Sequence, residues 1–159
     1  FGPATVKDIQ AWCWLTRLRG IVERLRPHLH TFRDEQSNEL FDLPDAPRPD
    51  PETPAPPRFL PEYDNVLLSH GDRSRIMARD RRIPLLPGNG AAGGTVLIDG
   101  CFQGTWQIKR QRDAAILLIR SFAPLSPSDR AAVAEEGARL LAFVATGADS
   151  HDVQFAAGN

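Results

Sequence analysis

Apolar positions in the first 44 residues recur first at helical spacing and then at strand spacing. Val6, Ile9, Trp12 and Cys13 fall on one helical face, and Thr5 with Asp8 three residues on makes the capping-box pattern that opens a helix. After a turn at 14–16, Leu18, Ile21, Val22 and Leu25 form an amphipathic stripe across a second helix, 17–26, which Pro27 stops. His30–Arg33 and Glu39–Leu43 read as two strands of a β-hairpin around the polar tip Asp34–Asn38. Helix, turn, helix, hairpin is the order of a winged helix without its first helix. A chain that begins at Phe1 without an initiator Met fits a processed protein or a piece of a longer one, with the first helix expected upstream.

From residue 58 onward the pattern is mostly β. Arg58–Ser69, with the run Val66-Leu67-Leu68, reads as a strand, and Gly94–Asp99 as another that ends in the hairpin signal Asp99-Gly100. Over Cys101–Lys109, Phe102, Trp106 and Ile108 alternate with Gln103, Thr105 and Gln107, and a polar turn at 111–113 leads into the apolar stretch Ala114–Phe122. Short antiparallel strands at this density predict a small β-barrel or a curled sheet. Ser126-Pro127 then opens a helix whose buried stripe is Val133, Gly137, Leu140, Leu141 and Val144. The tail from Gly147 has no clear period. The fold class expected is α+β: a winged-helix unit followed by a small antiparallel β-barrel with a C-terminal helix. Trp12, Leu25, Phe102 and Leu141 are expected in the cores.

Between these halves lies DAPRPDPETPAPP, with six prolines in residues 45–57, which excludes a helix and makes an extended connector. The expected division is therefore 1–44 winged helix, 45–57 linker, 58–150 barrel domain with its helix, and 151–159 tail. The chain's net charge of −1 rules out a uniformly basic coat. Yet residues 1–44 sum to 0, 45–57 to −2, 58–122 to +4 and 123–159 to −3, so a nucleic-acid partner should meet the middle. No apolar run is long enough to cross a bilayer.

Cationic residues supply the candidate chemistry. Arg17 and Arg24, seven residues apart, are expected on the helix face opposite the apolar stripe, where a winged helix reads DNA. The hairpin tip is acidic, which argues against a phosphate-gripping wing. Arg73, Arg75, Arg79, Arg81 and Arg82 put five guanidinium groups in ten residues, and Lys109, Arg110 and Arg112 cluster at the barrel hairpin. These are expected on or beside one face that grips phosphates. Glu62 and Asp64 would share a strand face, a pairing that serves acid–base chemistry or, more commonly, caps turns. His28 and His30 lack a completing ligand at metal-site spacing, and Cys13 and Cys101 are too far apart in sequence for a zinc set. The glycine-rich Gly88–Gly94 lacks the Lys and following helix of a phosphate cradle. No metal and no cofactor is expected.

Three stretches in order, Phe1–Trp12 (FGPATVKDIQAW), Phe59–Arg75 (FLPEYDNVLLSHGDRSR) and Val96–Gly100 with Gly104-Thr105-Trp106, resemble the C-terminal half of bacterial winged helix DNA-binding domain-containing proteins, the AlkZ/YcaQ-like DNA glycosylase superfamily. The resemblance runs from Phe1 to about Val153. It implies tandem winged helices in a clamp closed by a β-barrel, double-stranded DNA as partner alongside the missing N-terminal winged helices, no membrane, and a cytoplasmic, nucleoid-associated protein. It also implies hydrolysis of an N-glycosidic bond by a Gln-x-Gln or Gln-x-Asp pair with an aliphatic middle residue. Here the textual match is Gln111-Arg112-Asp113, with Arg in the middle and at a hairpin turn, so no catalytic residue is assigned to this chain. A winged-helix transcription regulator with a ligand-sensing barrel, and an interaction module with an acidic partner, are the other readings. The charge lies on the barrel side rather than on the wing, which favours a backbone-gripping, non-specific DNA contact in a glycosylase-like protein.

Overall fold

The computed structural model describes residues 2–78 and 94–156, which mix α-helix and β-strand in two compact units. Phe1–Thr53 with Asp64–Arg73 make the first, and Pro54–Tyr63 with Ser74–Asn159 the second.

In the first unit, α1 (Val6–Cys13) opens on Thr5, whose hydroxyl accepts from the Asp8 amide while the Asp8 carboxylate accepts from the Thr5 amide. The expected capping box is present on both sides. α1 ends at Trp14 and the chain reverses through two left-handed residues, Trp14 and Arg17, both at φ 60°. The second helix, α2, starts only at Arg19 and runs to Leu25, followed by one 3₁₀ turn at Arg26–His28. Strands β1 (His30–Arg33) and β2 (Glu39–Asp42) pair antiparallel, Thr31 opposite Phe41 and Phe32 opposite Leu40. Ala4 adds a single bridge to Phe41, exchanging both backbone hydrogen bonds with it at 2.8–2.9 Å. Ala4, Leu18, Val22, Leu40 and Phe41 are buried. Two expected core residues are not: Trp12 is 51% exposed and Leu25 49%. Helical periodicity identifies the apolar face but not whether it is covered, and Ile21 at 45% is about as exposed as Trp12 and Leu25.

The stretch 58–69 departs from the expected strand. Only Arg58–Leu60 is extended (β3), and Val66-Leu67-Leu68 lies in a short helix, α3 (Asn65–Leu68). Asp64 decides this by capping the helix, accepting at 2.8 Å from the Val66 amide. Glu62 and Asp64 therefore do not form a same-face carboxylate pair. A short apolar run fits a strand or a buried helix equally well, and the cap chooses.

The second unit carries a five-stranded sheet in the order β3-β4-β5-β6-β7, where β4 is Thr95–Ile98, β5 Cys101–Gln111, β6 Ala114–Ser121 and β7 Ser150–Ala156. It is an open sheet with β3 and β7 at its edges, not the expected barrel. Neither is it wholly antiparallel, because β7 runs parallel to β6 after the crossover helix α4 (Pro127–Val144). The tail read as aperiodic thus supplies a strand. Asp99 and Gly100, both at positive φ, make the tight β4–β5 turn that the Asp-Gly pair requires. One sheet face packs on α4 through Val96, Ala115, Leu117, Ile119, Val133, Leu141 and Ala145, all buried. Phe102 and Leu141 are buried as expected, at 3% and 0% exposure. Gly104 lies beside the β4–β5 register shift, where a Cβ would sit 2.5 Å from the Arg120 carbonyl oxygen. Only glycine fits there.

Candidate nucleic-acid interface

Arg17 precedes α2 in the left-handed conformation, so it does not share a helical face with Arg24, as a seven-residue spacing within one helix would require. The reversal needs residues off the helical register, and Leu18 is buried as the pivot, its amide donating to Gln10 Oε1 at 3.1 Å. Arg17 and Arg24 are both exposed, and neither makes a hydrogen bond or ion pair among the described residues. Their neighbour Arg26 is spent on the fold. Its guanidinium bonds Glu39 at 2.6 and 2.7 Å and Glu23 at 2.7 and 3.0 Å, clasping the end of α2 to β2. Those hydrogen bonds hold both glutamates below the usual carboxylate range. At the hairpin tip, Asp34 accepts from the Gln36 and Asn38 amides at 2.9 and 2.8 Å, so its charge closes its own turn.

The arginine cluster at 73–82 is divided. Arg73 belongs to the first unit, where its Nε donates to the Leu67 carbonyl at the end of α3. Arg75 is exposed in the second unit. Arg79, Arg81 and Arg82, with residues 88–93 of the glycine-rich stretch, lie outside the described residues.

The cations of the β5–β6 hairpin do not share one face. Arg110 stands opposite the buried Ala115 on the α4 side, and its Nη2 donates at 2.8 Å to the Val144 carbonyl at the end of α4. A cation there offsets the negative end of the helix dipole. Lys109 is paired with Ile116 and points to the other face, because side chains alternate along a strand. On that face the ladder sets Thr105 opposite Arg120 and Gln107 opposite Leu118, with Asp152 beside Ile116 and Gln154 beside Leu118. Arg120, exposed there with Lys109, is a cation that the sequence reading missed. Counting two-residue steps back from it through Leu118 and Ile116 would have found it. Arg112 sits at the β5–β6 turn at φ 41°, between Gln111 and Asp113.

Groups that would hold a metal are not assembled: among the described residues, no three of His, Cys, Asp and Glu converge. No described helix is long and apolar enough to cross a membrane.

The three sequence stretches that carry the resemblance hold structural joints. Asp8 of the first stretch accepts from the amides of Gly71 and Asp72 in the second, at 2.7 and 3.4 Å. Trp106 of the third donates its indole N–H to the Leu60 carbonyl of the second at 3.0 Å. Burial disfavours the charged form of Asp8, but the Thr5 hydroxyl and the amides of Thr5, Gly71 and Asp72 together outweigh it and hold the carboxyl below its usual range.

No curated protein sequence matches the chain significantly. Among solved structures, Streptomyces sahachiroi DNA glycosylase AlkZ superposes with a TM-score of 0.72 at 22% identity, over 98% of this chain and 42% of that one. At that identity the likeness shows a shared fold, and the chain spans less than half of the solved protein's length. The family described as AlkZ-like, DNA glycosylase AlkZ-like, matches residues 1–143. The chain belongs to the AlkZ-like DNA glycosylase family.

Proposed function

We propose that this chain is a DNA-contacting portion of a glycosylase-like repair protein, and that it grips the phosphate backbone without reading bases. The observation that carries the reading is that, in a chain of this family, Arg17, Arg24, Arg75, Lys109 and Arg112 stand exposed while neighbouring cations are tied into the fold. Arg73 and Arg110, each with a donor committed to a backbone carbonyl, add positive charge more than reach. Arg79, Arg81 and Arg82 join them on the strength of the sequence cluster.

The first unit is read as a winged helix in which Ala4 is the opening strand, α1 and α2 the helix-turn-helix, and β1–β2 the wing. The Ala4–Phe41 bridge beside the hairpin supports this. So does the exposure of Trp12, Ile21 (45%) and Leu25, the surface that a preceding helix and further winged helices would cover. Base excision is assigned to those N-terminal domains. Gln111-Arg112-Asp113 lies at a strand turn with a cation at its centre, which is poorly suited to directing water at a developing oxocarbenium ion. Work on DNA would place the protein with the nucleoid in the cytoplasm.

Such contact gives duplex binding with Kd of about 10⁻⁴–10⁻⁶ M at physiological salt, falling steeply as salt rises. The test is a salt titration of the parent chain, Arg17→Ala/Arg24→Ala and Lys109→Ala/Arg112→Ala. Each lost phosphate contact should lower the log–log slope by about 1 and leave sequence preference unchanged. Unchanged slopes in both double variants would sink the reading.

A further inference from the structure

The α1–α2 turn holds the most exposed large apolar side chain of the described residues. Trp14 is 91% exposed and Leu15 beside it 58%. Trp14 adopts a left-handed conformation, φ 60° and ψ 18°, at the C-cap of α1, a position that favours glycine or asparagine. For a bulky side chain this conformation is an outlier, and no contact of the indole within the described residues compensates for it. The turn is nevertheless well anchored. The Thr5–Asp8 box fixes the start of α1, and the Gln10–Leu18 hydrogen bond spans the turn, with Leu18 buried beneath it. The Trp14 side chain is therefore held outward on a fixed support. Arg17 in the same turn and Arg19 at the start of α2, both exposed, follow it.

An open π-face next to cations matches one partner by charge and by chemistry: a nucleobase, which offers a face to stack on, flanked by phosphates for the guanidinium groups. We propose that Trp14 is a stacking wedge for an unpaired or unstacked base in DNA, with Arg17 and Arg19 on the adjoining phosphates. A protein surface would equally cover an indole, but Arg17 in the turn, which makes no ion pair among the described residues, favours a polyanion. The proposal rests on the DNA-contact reading and adds to it a preference for disrupted over intact duplex.

The test compares binding to an intact duplex and to the same duplex carrying one bulged adenine, for the parent chain, Trp14→Ala, Trp14→Phe and Arg17→Ala. Trp14 lies outside the core, so thermal melting of the variants should match the parent. Trp14→Ala is expected to lose about tenfold in affinity for the bulged duplex, with its salt slope unchanged. Trp14→Phe keeps a π-face and should lose no more than about threefold. Arg17→Ala should lower the slope by about 1 on both duplexes. A parent chain that binds neither duplex overturns the DNA-contact reading and this proposal with it. A parent that binds both, with Trp14→Ala indistinguishable from it on the bulged duplex, overturns the wedge alone. If Trp14→Ala instead changes only self-association, measured by sedimentation, the turn is a protein contact and the proposal fails.

Discussion

The amide of Gly71 donates a 2.7 Å hydrogen bond to Asp8 Oδ1, joining two segments 63 residues apart in sequence. Its sister oxygen is occupied by the Thr5 amide and hydroxyl at 2.9 and 2.7 Å, so one buried carboxylate caps α1 and also fastens the 64–73 segment to the first unit. Hydrogen bonds to a charged acceptor contribute about 1.5–3 kcal/mol each, and leaving their donors unmet costs more than the bond itself returned. Asp8→Ala is therefore expected to destabilise the first unit by about 2–4 kcal/mol. Urea unfolding of the parent and variant measures it.

The same carboxylate sets a pH dependence. Its folded pKa is lowered, so the unfolded chain binds the proton more readily. The stability it contributes is complete above the ordinary aspartate value of about 3.9 and is lost as pH falls below that, through the folded value. The difference in unfolding free energy between parent and Asp8→Asn should therefore be constant from neutral pH down to about 4.5 and shrink at lower pH. A difference that held constant down to pH 3 would show that Asp8 acts by shape and not by charge.

Local signals were the legible part of this fold. Thr5 with Asp8, Asp99 with Gly100 and Ser126 with Pro127 each satisfy backbone needs within a few residues, so the sequence states them directly. The parallel strand β7 was harder. His151, Val153 and Phe155 do alternate with Ser150, Asp152 and Gln154, but only the α4 crossover brings them beside β6. Barrel closure was not legible either, because strand count does not determine whether the edge strands β3 and β7 meet. For the candidate site, residue type marked the cations. Which of them the fold consumes depends on backbone carbonyls such as those of Leu67 and Val144, which have no signature in sequence.

Gly137 faces the Leu117 methyl, and a Cβ there would lie 2.8 Å from Leu117 Cδ2 and 3.4 Å from Val153 Cγ1. Alanine gains about 1 kcal/mol in helix propensity, but overpacking a fully buried leucine costs about 1–3 kcal/mol. Gly137→Ala should thus be neutral to destabilising by about 2 kcal/mol, whereas Gly147→Ala, with open space at its Cβ, should stay within about 0.5 kcal/mol of the parent. Thermal melting of the two variants side by side decides this. A stabilised Gly137→Ala would mean that the α4–β6 contact is loose.

Trp106 makes two contacts that a phenylalanine would divide. Its indole N–H reaches the Leu60 carbonyl, and its ring meets Phe59 edge-on with centroids 5.9 Å apart. Trp106→Phe keeps an aromatic face and removes the donor, so the expected loss is about 1–2 kcal/mol. Trp106→Leu also removes the aromatic pair and should lose about 1 kcal/mol more. Equal losses in the two variants, by urea unfolding, would assign the whole contribution to the hydrogen bond.

Lys109 and Arg110 are adjacent in sequence but serve opposite faces of one strand, which makes them a sharp test of the proposed phosphate grip. Arg110 supports the end of α4 through the Val144 carbonyl, so Arg110→Ala should lower stability by about 0.3–1 kcal/mol. Lys109, exposed beside Gln107 and Arg120 on the face away from α4, makes no such bond among the described residues. Lys109→Ala should leave stability unchanged and lower the salt slope of duplex binding by about 1. Arg110→Ala should change the slope less, because its side chain is held toward α4. If Arg110→Ala reduced the slope as much as Lys109→Ala did, the DNA would have to reach both faces of β5, and a grip confined to the open face would be ruled out.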